Sequence, residues 1–189
     1  MSAERVRRGL QELASAALGL AGQAEAVVAM AARYAATLRG GGTLFFAGNG
    51  GSAAHAQHRA TEYLVRYRRT RRALRAVALT TDGSALTAIG NDLGAEEIFA
   101  RQIEALAGPG DLVILHSTSG RSVNLIRAVE AAREVGASVV AMLGGDGGSL
   151  AALVDQAVIV PAEPASRIQE LHLAIEHLIV ELVEEELGL

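Results

Sequence analysis

The sequence predicts an α/β protein in which a five-stranded parallel sheet is covered by helices on both faces. Short and almost wholly apolar segments alternate with longer helical segments along the 189 residues. Strands that are apolar on both sides are typical of parallel sheets between two helical layers. The chain contains no internal repeat and no low-complexity linker, so we predict a single domain over residues 1–189.

Helical segments are predicted at both ends of the chain. Apolar side chains recur at spacings of three and four over residues 3–39, and Gly19 and Gly22 predict a junction of two helices there. The same spacing runs from about residue 166 to residue 187. Both segments are longer than cover for the sheet requires, and we expect them to form a helical bundle between subunits.

The middle of the chain supplies the strands and the helices that connect them. Runs of Val, Leu, Ile, Ala and Phe between turn residues predict the strands. In chain order they are 43–47, 76–80, 112–116, 138–143 and 157–160. Helical spacing after each strand predicts the connecting helices. They are 52–66, 84–89, 95–106, 122–135 and a short one at 147–153.

The composition excludes several classes of chemistry. The sequence contains no cysteine, which excludes disulfides, thiolate catalysis and cysteine-based zinc or iron–sulfur sites. All 17 basic residues are arginine, so there is no lysine for a Schiff base, a pyridoxal-phosphate anchor or a P-loop. The net charge of −4 gives no general attraction to nucleic acid or to an anionic membrane. A phosphate group would have to be bound by backbone amides, hydroxyls or arginine.

The N-terminal residues do not resemble a secretion signal. Residues 1–20 contain two acidic side chains in a helical rhythm. No run of about 18 uncharged apolar residues is present, so no membrane span is expected. We therefore predict a soluble, cytoplasmic protein.

Two strand-to-helix turns, residues 48–52 and 117–122, predict a phosphate site. Each follows the carboxyl end of a strand and precedes a helix, where free N–H groups and the positive helix end favour an anion. Hydroxyl side chains supply further donors in the second turn. Tight turns and helix caps would explain either segment alone. Dinucleotide binding is an alternative, because the first turn matches its glycine fingerprint and Asp82 could bind a ribose. It is the weaker one, because that fingerprint alone is a weak signal and the region about 20 residues further on holds arginines in place of an acid.

Glu62 is the candidate general base. It follows His58 by four residues, which puts both side chains on one helix face. Burial of a carboxylate in this alanine-rich helix would raise its pKa, as a base near neutral pH requires. Gln169 and His177 lie two turns apart on the last helix and are expected to face a cleft or an interface. Two histidines, a carboxylate and an amide oxygen could hold a divalent metal such as zinc.

Three segments occur in order between about residue 40 and the end, together with Glu62 and the pair Asn91-Asp92: GNGGSAAHAQH, STSGRS and RIQELHLAIEH. They resemble the motifs of the phosphoheptose isomerases, which are members of the sugar isomerase (SIS) family. The resemblance implies the flavodoxin-like, three-layer SIS fold and a homotetramer with active sites between subunits. It also implies isomerisation of sedoheptulose 7-phosphate to D-glycero-D-manno-heptose 7-phosphate through an enediol, with zinc in some members and no nucleotide cofactor.

The same resemblance assigns roles to individual residues. Glu62 matches the base that moves a proton between C1 and C2, and His177 matches its partner acid/base. The zinc ligands of some members correspond to His58, Glu62, Gln169 and His177. The substrate and phosphate contacts correspond to Asn49, Gly50, Gly51, Ser52, Glu62, Asn91, Asp92, Ser117, Thr118, Ser119, Ser122 and Gln169.

Some residues depart from the family pattern or have an ordinary structural explanation. His55 stands where an acid is common, and Ser166 replaces an aspartate of some members. His55 and His172 are expected to be buried or capping histidines. The arginine-rich segment 66–75 is interpreted as a solvated loop; a contact with substrate phosphate, an acidic partner or DNA is the alternative.

A non-catalytic relative is the alternative to an enzyme. The SIS superfamily contains a bacterial homotetramer that binds the replication initiator protein, and residues 79–89 and 165–170 resemble parts of it. That relative lacks counterparts of Glu62 and His177, and a protein kept only for binding has no chemical need of both. The pair therefore favours an isomerase over a regulatory phosphosugar-binding protein.

Overall fold

Residues 2–189, described by a computed structural model, form a parallel sheet between two layers of helices. The strands lie in the order β2-β1-β3-β4-β5, and every neighbouring pair is parallel. They are β1 (Leu44–Gly48), β2 (Ala76–Ala78), β3 (Leu112–Ser117), β4 (Ser138–Gly144) and β5 (Gln156–Val160). The predicted fold class is confirmed, since this strand order is that of flavodoxin-like sheets.

Seven α-helices surround the sheet within the described residues 2–189. They are α1 (Ala3–Leu20), α2 (Ala24–Arg39), α3 (Gly51–Leu64), α4 (Gly83–Asp92), α5 (Ala100–Leu106), α6 (Val123–Glu134) and α7 (Ala165–Glu186). Successive residues of β1 point to opposite faces, so Phe45 joins the core beneath α5 and α6 while Phe46 joins the core beneath α2, α3 and α7. Both faces of the sheet are therefore dry, as the apolar strands predict.

Three predicted elements differ from the structure. The strand predicted at 76–80 is shorter, because its last residues enter the turn before α4. The helix predicted at 95–106 is divided into a 3₁₀ turn at Ala95–Glu97 and helix α5. The short helix predicted near 147–153 is a single 3₁₀ turn at Ser149–Ala152, because Gly147 and Gly148 have φ values of 79° and 55° that interrupt any helix before it.

A buried polar network holds α7 against the sheet. Glu176 is 1% exposed, and its Oε1 accepts hydrogen bonds from the Tyr34 hydroxyl and from His116 Nε2, each at 3.1 Å. His172 is fully buried and donates from Nε2 to the carbonyl oxygen of Leu143 at 3.0 Å. His172 is therefore buried, as the sequence predicts, with Nε2 hydrogen-bonded and Nδ1 without a partner within residues 2–189. The two contacts fix α7 above β3 and β4.

Helix α1 is the exposed part of the fold. None of its residues is buried, and Val6, Leu10 and Leu18 are large apolar side chains that face outward. By length and composition alone, the helical stretch Ala3–Arg39 meets the requirement for a membrane span. Core helices of soluble proteins and signal sequences meet the same requirement, so the absence of a span and the cytoplasmic location both stay predictions.

The turn after β3 requires a glycine at position 120. Gly120 has a φ of 61°, and an added Cβ would collide with the carbonyl oxygen of Gly147. We expect Gly120→Ala to lower the free energy of unfolding by about 2 kcal/mol or more. Urea denaturation measures the change. Gly83→Ala is the control, because a Cβ at Gly83 meets open space; equal losses in both variants would contradict the steric argument.

Candidate active site

The two predicted phosphate turns lie side by side at one edge of the sheet. Strands β1 and β3 are neighbours, so residues 48–52 and 117–122 follow adjacent carboxyl ends. The side-chain amides of Asn49 and Asn124 exchange two hydrogen bonds of 2.9 Å, which ties the first turn to helix α6. The turns therefore form one polar edge, with the N-termini of α3 and α6 at its two sides.

The hydroxyl groups of the second turn have different partners. Ser117 Oγ accepts from the Gly120 N–H at 2.9 Å, and Ser119 Oγ accepts from the Arg121 N–H at 3.3 Å, so both shape the turn. Thr118 is half-buried. Ser122 is the N-cap residue of α6, but its side chain makes no capping bond. Helix capping therefore does not explain Ser122, whose hydroxyl is free to bind a ligand.

Two of the other predicted substrate contacts, Ser52 and Gln169, lie at this edge, whereas the pair Asn91-Asp92 lies at the end of α4. Ser52 is buried in the first turn of α3, and the amide of Gln169 packs on the same turn. A Cβ added to Gly51 would lie 2.7 Å from Gln169 Nε2. Asn91 and Asp92 end helix α4 and bond each other at 2.7 Å. Across residues 2–189, no hydrogen bond joins that pair to the two turns.

Glu62 lies between two histidines. Its Oε1 is 3.2 Å from His58 Nε2 and 3.3 Å from His177 Nε2, and the three ligand atoms lie within 4.8 Å of one another. The predicted grouping of these three residues is therefore present within one chain. Within one chain Gln169 lies away from them, because it precedes His177 by eight residues, which is about 12 Å along a helix axis.

Sequence analysis missed Arg59, which lies at the centre of this group. Arg59 is 0% exposed, and its Nη1 is 2.7 Å from Glu62 Oε2, an ion pair that is not aligned as a hydrogen bond. Its Nη2 is 3.0 Å from His177 Nε2. Because arginine has no acceptor, His177 accepts this bond and carries its own proton on Nδ1. The three-residue spacing of Arg59 and Glu62 on one helix could have indicated this contact, since residues three apart on a helix are neighbours.

Burial sets the protonation of the group. Desolvation raises the pKa of Glu62 to about 7, with help from Glu176 and Glu184, although the Arg59 charge acts in the opposite direction. Desolvation and the Arg59 charge lower the pKa values of His58 and His177. Near neutral pH, the arrangement therefore combines a carboxyl group close to its own pKa with two uncharged imidazoles, which suits proton transfer.

The arginine-rich segment 66–75 packs against the cluster of His58, Glu62 and His177. Its interpretation as a solvated loop is wrong for Arg71. The Arg71 side chain is 2% exposed and pairs with Glu184 at 2.8 Å. It also donates to the backbone carbonyl oxygens of Glu62 and Tyr63. The ring of Tyr67 stacks on His177 with 5.5 Å between centroids. The acidic end of α7 explains the burial of Arg71, because it supplies the partner charge.

A divalent metal fits the donor chemistry of the group but not its present arrangement. Two imidazole nitrogens and a carboxylate oxygen are suitable zinc ligands. However, the guanidinium of Arg59 already contacts Nε2 of His177 and Oε2 of Glu62. An ion bound there would need the same His177 lone pair and would lie beside a fixed positive charge, so the residues do not fit a metal while Arg59 stays in place.

Comparison with known proteins gives consistent results. The family model described as SIS domain matches residues 11–144. A phosphoheptose isomerase from Roseiflexus sp. is 52% identical over 162 residues, which are 86% of this chain and 82% of that protein. The structure of a phosphoheptose isomerase from Neisseria gonorrhoeae superposes with a TM-score of 0.92 at 40% identity, covering 96% of this chain and 98% of its own. One from Francisella tularensis gives 0.94 at 32% identity, covering 98% and 100%.

Glu62→Gln is expected to change the pH dependence of stability. The native pKa of about 7 lies above the ordinary value of 4.5, so the stabilising contribution of protonated Glu62 is complete below pH 4.5 and is lost as the pH rises through about 7. The free energy of unfolding of the wild type should therefore fall relative to that of the variant between about pH 5 and pH 8. Urea denaturation across this range measures the difference. The exposed Glu185→Gln is the control, and parallel curves for wild type and Glu62→Gln would contradict the raised pKa.

Proposed function

The chain belongs to the SIS domain family and, within it, to the phosphoheptose isomerases, and we propose that it converts sedoheptulose 7-phosphate to D-glycero-D-manno-heptose 7-phosphate. One observation carries the proposal: the Glu62 carboxyl group, with a pKa of about 7, lies beside two imidazoles on the helix that a phosphate turn opens. Aldose–ketose isomerisation needs a base that is ionised near neutral pH and can hold the proton while it moves between carbons.

In the proposed reaction, the Glu62 carboxylate removes a proton from C1 of the ketose. The C1–H electron pair forms the C1–C2 double bond, and the C2 carbonyl oxygen takes a proton from Nδ1 of His177, which yields an enediol. His177 then removes the proton from the C1 hydroxyl, so that the C1 aldehyde forms. As the double-bond electrons return to C2, Glu62 gives its proton to that carbon, and both side chains are restored.

The phosphate is proposed to bind at the polar edge formed by the two turns. The uncapped N-termini of α3 and α6 favour an anion, and hydroxyl groups add neutral donors where the chain has no lysine. The residues proposed for phosphate and sugar contacts are Asn49, Gly50, Gly51, Ser52, Asn91, Asp92, Ser117, Thr118, Ser119, Ser122 and Gln169. The enediol oxygens would meet the imidazoles of His58 and His177.

The proposed steps involve no zinc ion. When bound to His58, Glu62 and His177, it would polarise the substrate carbonyl. The contacts of Arg59 with two of these residues oppose that binding. The proton transfers above therefore depend on Glu62 and His177 alone.

A homotetramer with active sites between subunits is part of the proposal. Gly51 and Glu62 are eleven residues apart on α3, which is about 16 Å along the helix. An extended heptose 7-phosphate is shorter than this separation, so a phosphate on the turns of one subunit would reach Glu62 of another subunit more readily. The apolar groove between α1, α2 and α7, where Val28 and Leu178 are exposed, offers surface for such assembly.

Activity is the direct test of the proposed reaction. Purified protein in D₂O with sedoheptulose 7-phosphate should form the aldoheptose 7-phosphate with deuterium at C2, followed by NMR. Glu62→Gln should lower kcat by about 10²–10⁴-fold without a comparable change in substrate affinity, because an amide cannot take the proton. Glu134→Gln, at an exposed glutamate that ends α6, should keep wild-type activity. Unchanged turnover by Glu62→Gln would remove Glu62 as the base; no turnover by the wild type, with intact phosphosugar binding, would favour another phosphosugar or a regulatory protein.

Assembly is tested at the apolar groove. Leu178 is 53% exposed there, and Leu178→Glu should convert a tetramer into smaller species because a charge in a dry interface is costly. Turnover should fall in parallel if sites are shared. Light scattering after size-exclusion chromatography measures the mass. Leu93→Glu, at an equally exposed leucine after α4, is the control; a fully active wild-type monomer would refute the shared site.

A further inference from the structure

Arg59 is a charged residue that the reaction above does not use, although it lies beside both proton-transfer groups. Its side chain is 1% exposed, in a helix whose neighbouring residues Ala56 and Ala60 belong to the core. A buried guanidinium destabilises a protein unless its charge and its donors find partners. The choice of partners therefore indicates what the residue does.

The partners of Arg59 differ from those of Arg71, the other arginine buried near the site. Arg71 pairs with Glu184 and donates to three backbone carbonyl oxygens, as an arginine with a structural role commonly does. In the part of the chain that the structure describes, Arg59 makes polar contacts with Glu62 and His177, and both are side-chain contacts. Arg59 therefore directs its charge at Glu62 and its one hydrogen bond at His177, while its Nε and Nη1 have no hydrogen-bond partner within residues 2–189.

The contact with His177 occupies the atom that a metal ion would use. In the tautomer that accepts from Arg59, the imidazole has its lone pair on Nε2, and the Nη2 group of Arg59 lies 3.0 Å from it. The guanidinium cannot lose its charge in a protein. A divalent cation at His58, Glu62 and His177 would therefore both lose a ligand and be repelled at short range.

We propose that Arg59 is a positioning residue that takes the place of a divalent metal in this site: its guanidinium holds Glu62 and His177 together, so that the isomerase works without a bound ion and binds one only weakly. The proposal rests on the proposed function for the roles of Glu62 and His177. When Nδ1 of His177 gives up its proton to the substrate, the Arg59 charge beside Nε2 stabilises the ring. A bound cation would otherwise supply that stabilisation.

Zinc affinity and turnover test this inference in the wild type and in the single variants Arg59→Met, Arg59→Lys and Arg71→Met. Methionine keeps the length of the side chain without its charge. We expect Arg59→Met to bind Zn²⁺ at least about tenfold more tightly than the wild type in calorimetric titration, because the repulsion is gone and the Nε2 lone pair is free. Adding His177→Ala to Arg59→Met should abolish the gain, which assigns the ion to this group.

The activity measurements separate a positioning role from a merely structural one. The wild type should keep its kcat in EDTA, whereas Arg59→Met should be slow in EDTA and faster after Zn²⁺ is added. Arg59→Lys retains the charge, so it should keep the weak zinc binding of the wild type and part of its kcat. Arg71→Met also removes a buried arginine, but it should leave zinc affinity unchanged while lowering the free energy of unfolding.

Two results would overturn the inference. One is zinc binding by the wild type that is as tight as binding by Arg59→Met; the other is loss of wild-type activity in EDTA with recovery on zinc. Zinc titration needs no turnover, so it decides the role of Arg59 even if sedoheptulose 7-phosphate is not the substrate. If Arg59→Met does not fold, the affinity of Arg59→Lys and the EDTA response of the wild type still decide it.

Discussion

The pairing of buried charges along α7 is the constraint on which the rest of the site depends. Glu176 binds Tyr34 and His116 above the sheet, and Glu184 binds Arg71 in the last turn of the helix. Leaving any one of these carboxylates buried without a partner would cost several kcal/mol. Helix α7 therefore has one favourable register against the sheet and against α3, and that register sets what its other side chains can reach.

The register divides the candidate site residues into two groups. At the start of α7, Gln169 meets the first turn of α3 at the polar edge of the sheet. Two helical turns later, His177 meets Glu62 near the end of α3. The first group suits the binding of an anion, and the second suits proton transfer. Their separation along the helices supports the proposal that each active site includes residues of more than one subunit.

Opposing electrostatic effects bring Glu62 to a useful pKa. Burial raises the pKa, while the positive charge of Arg59 lowers it, and the result lies at about 7. Without burial the carboxylate would be a weaker base, and without Arg59 it would remain protonated to higher pH. The same burial makes the ionised group destabilising, so basicity at this position and stability at high pH oppose each other.

Local patterns were sufficient for the fold class, for the positions of the two strand-to-helix turns and for the pairing of His58 with Glu62. Periodicity, turn chemistry and four-residue spacing act within a few residues of the chain. The same patterns misjudged the helix at 95–106 and the burial of Arg71. Only the tertiary structure decided that Arg59 contacts His177, 118 residues away. It also decided that, within one chain, Gln169 lies at the first turn of α3 and apart from the cluster of His58, Glu62 and His177. Contacts between helices depend on their relative register, which core packing and buried charge pairs set across the whole domain and no single segment specifies.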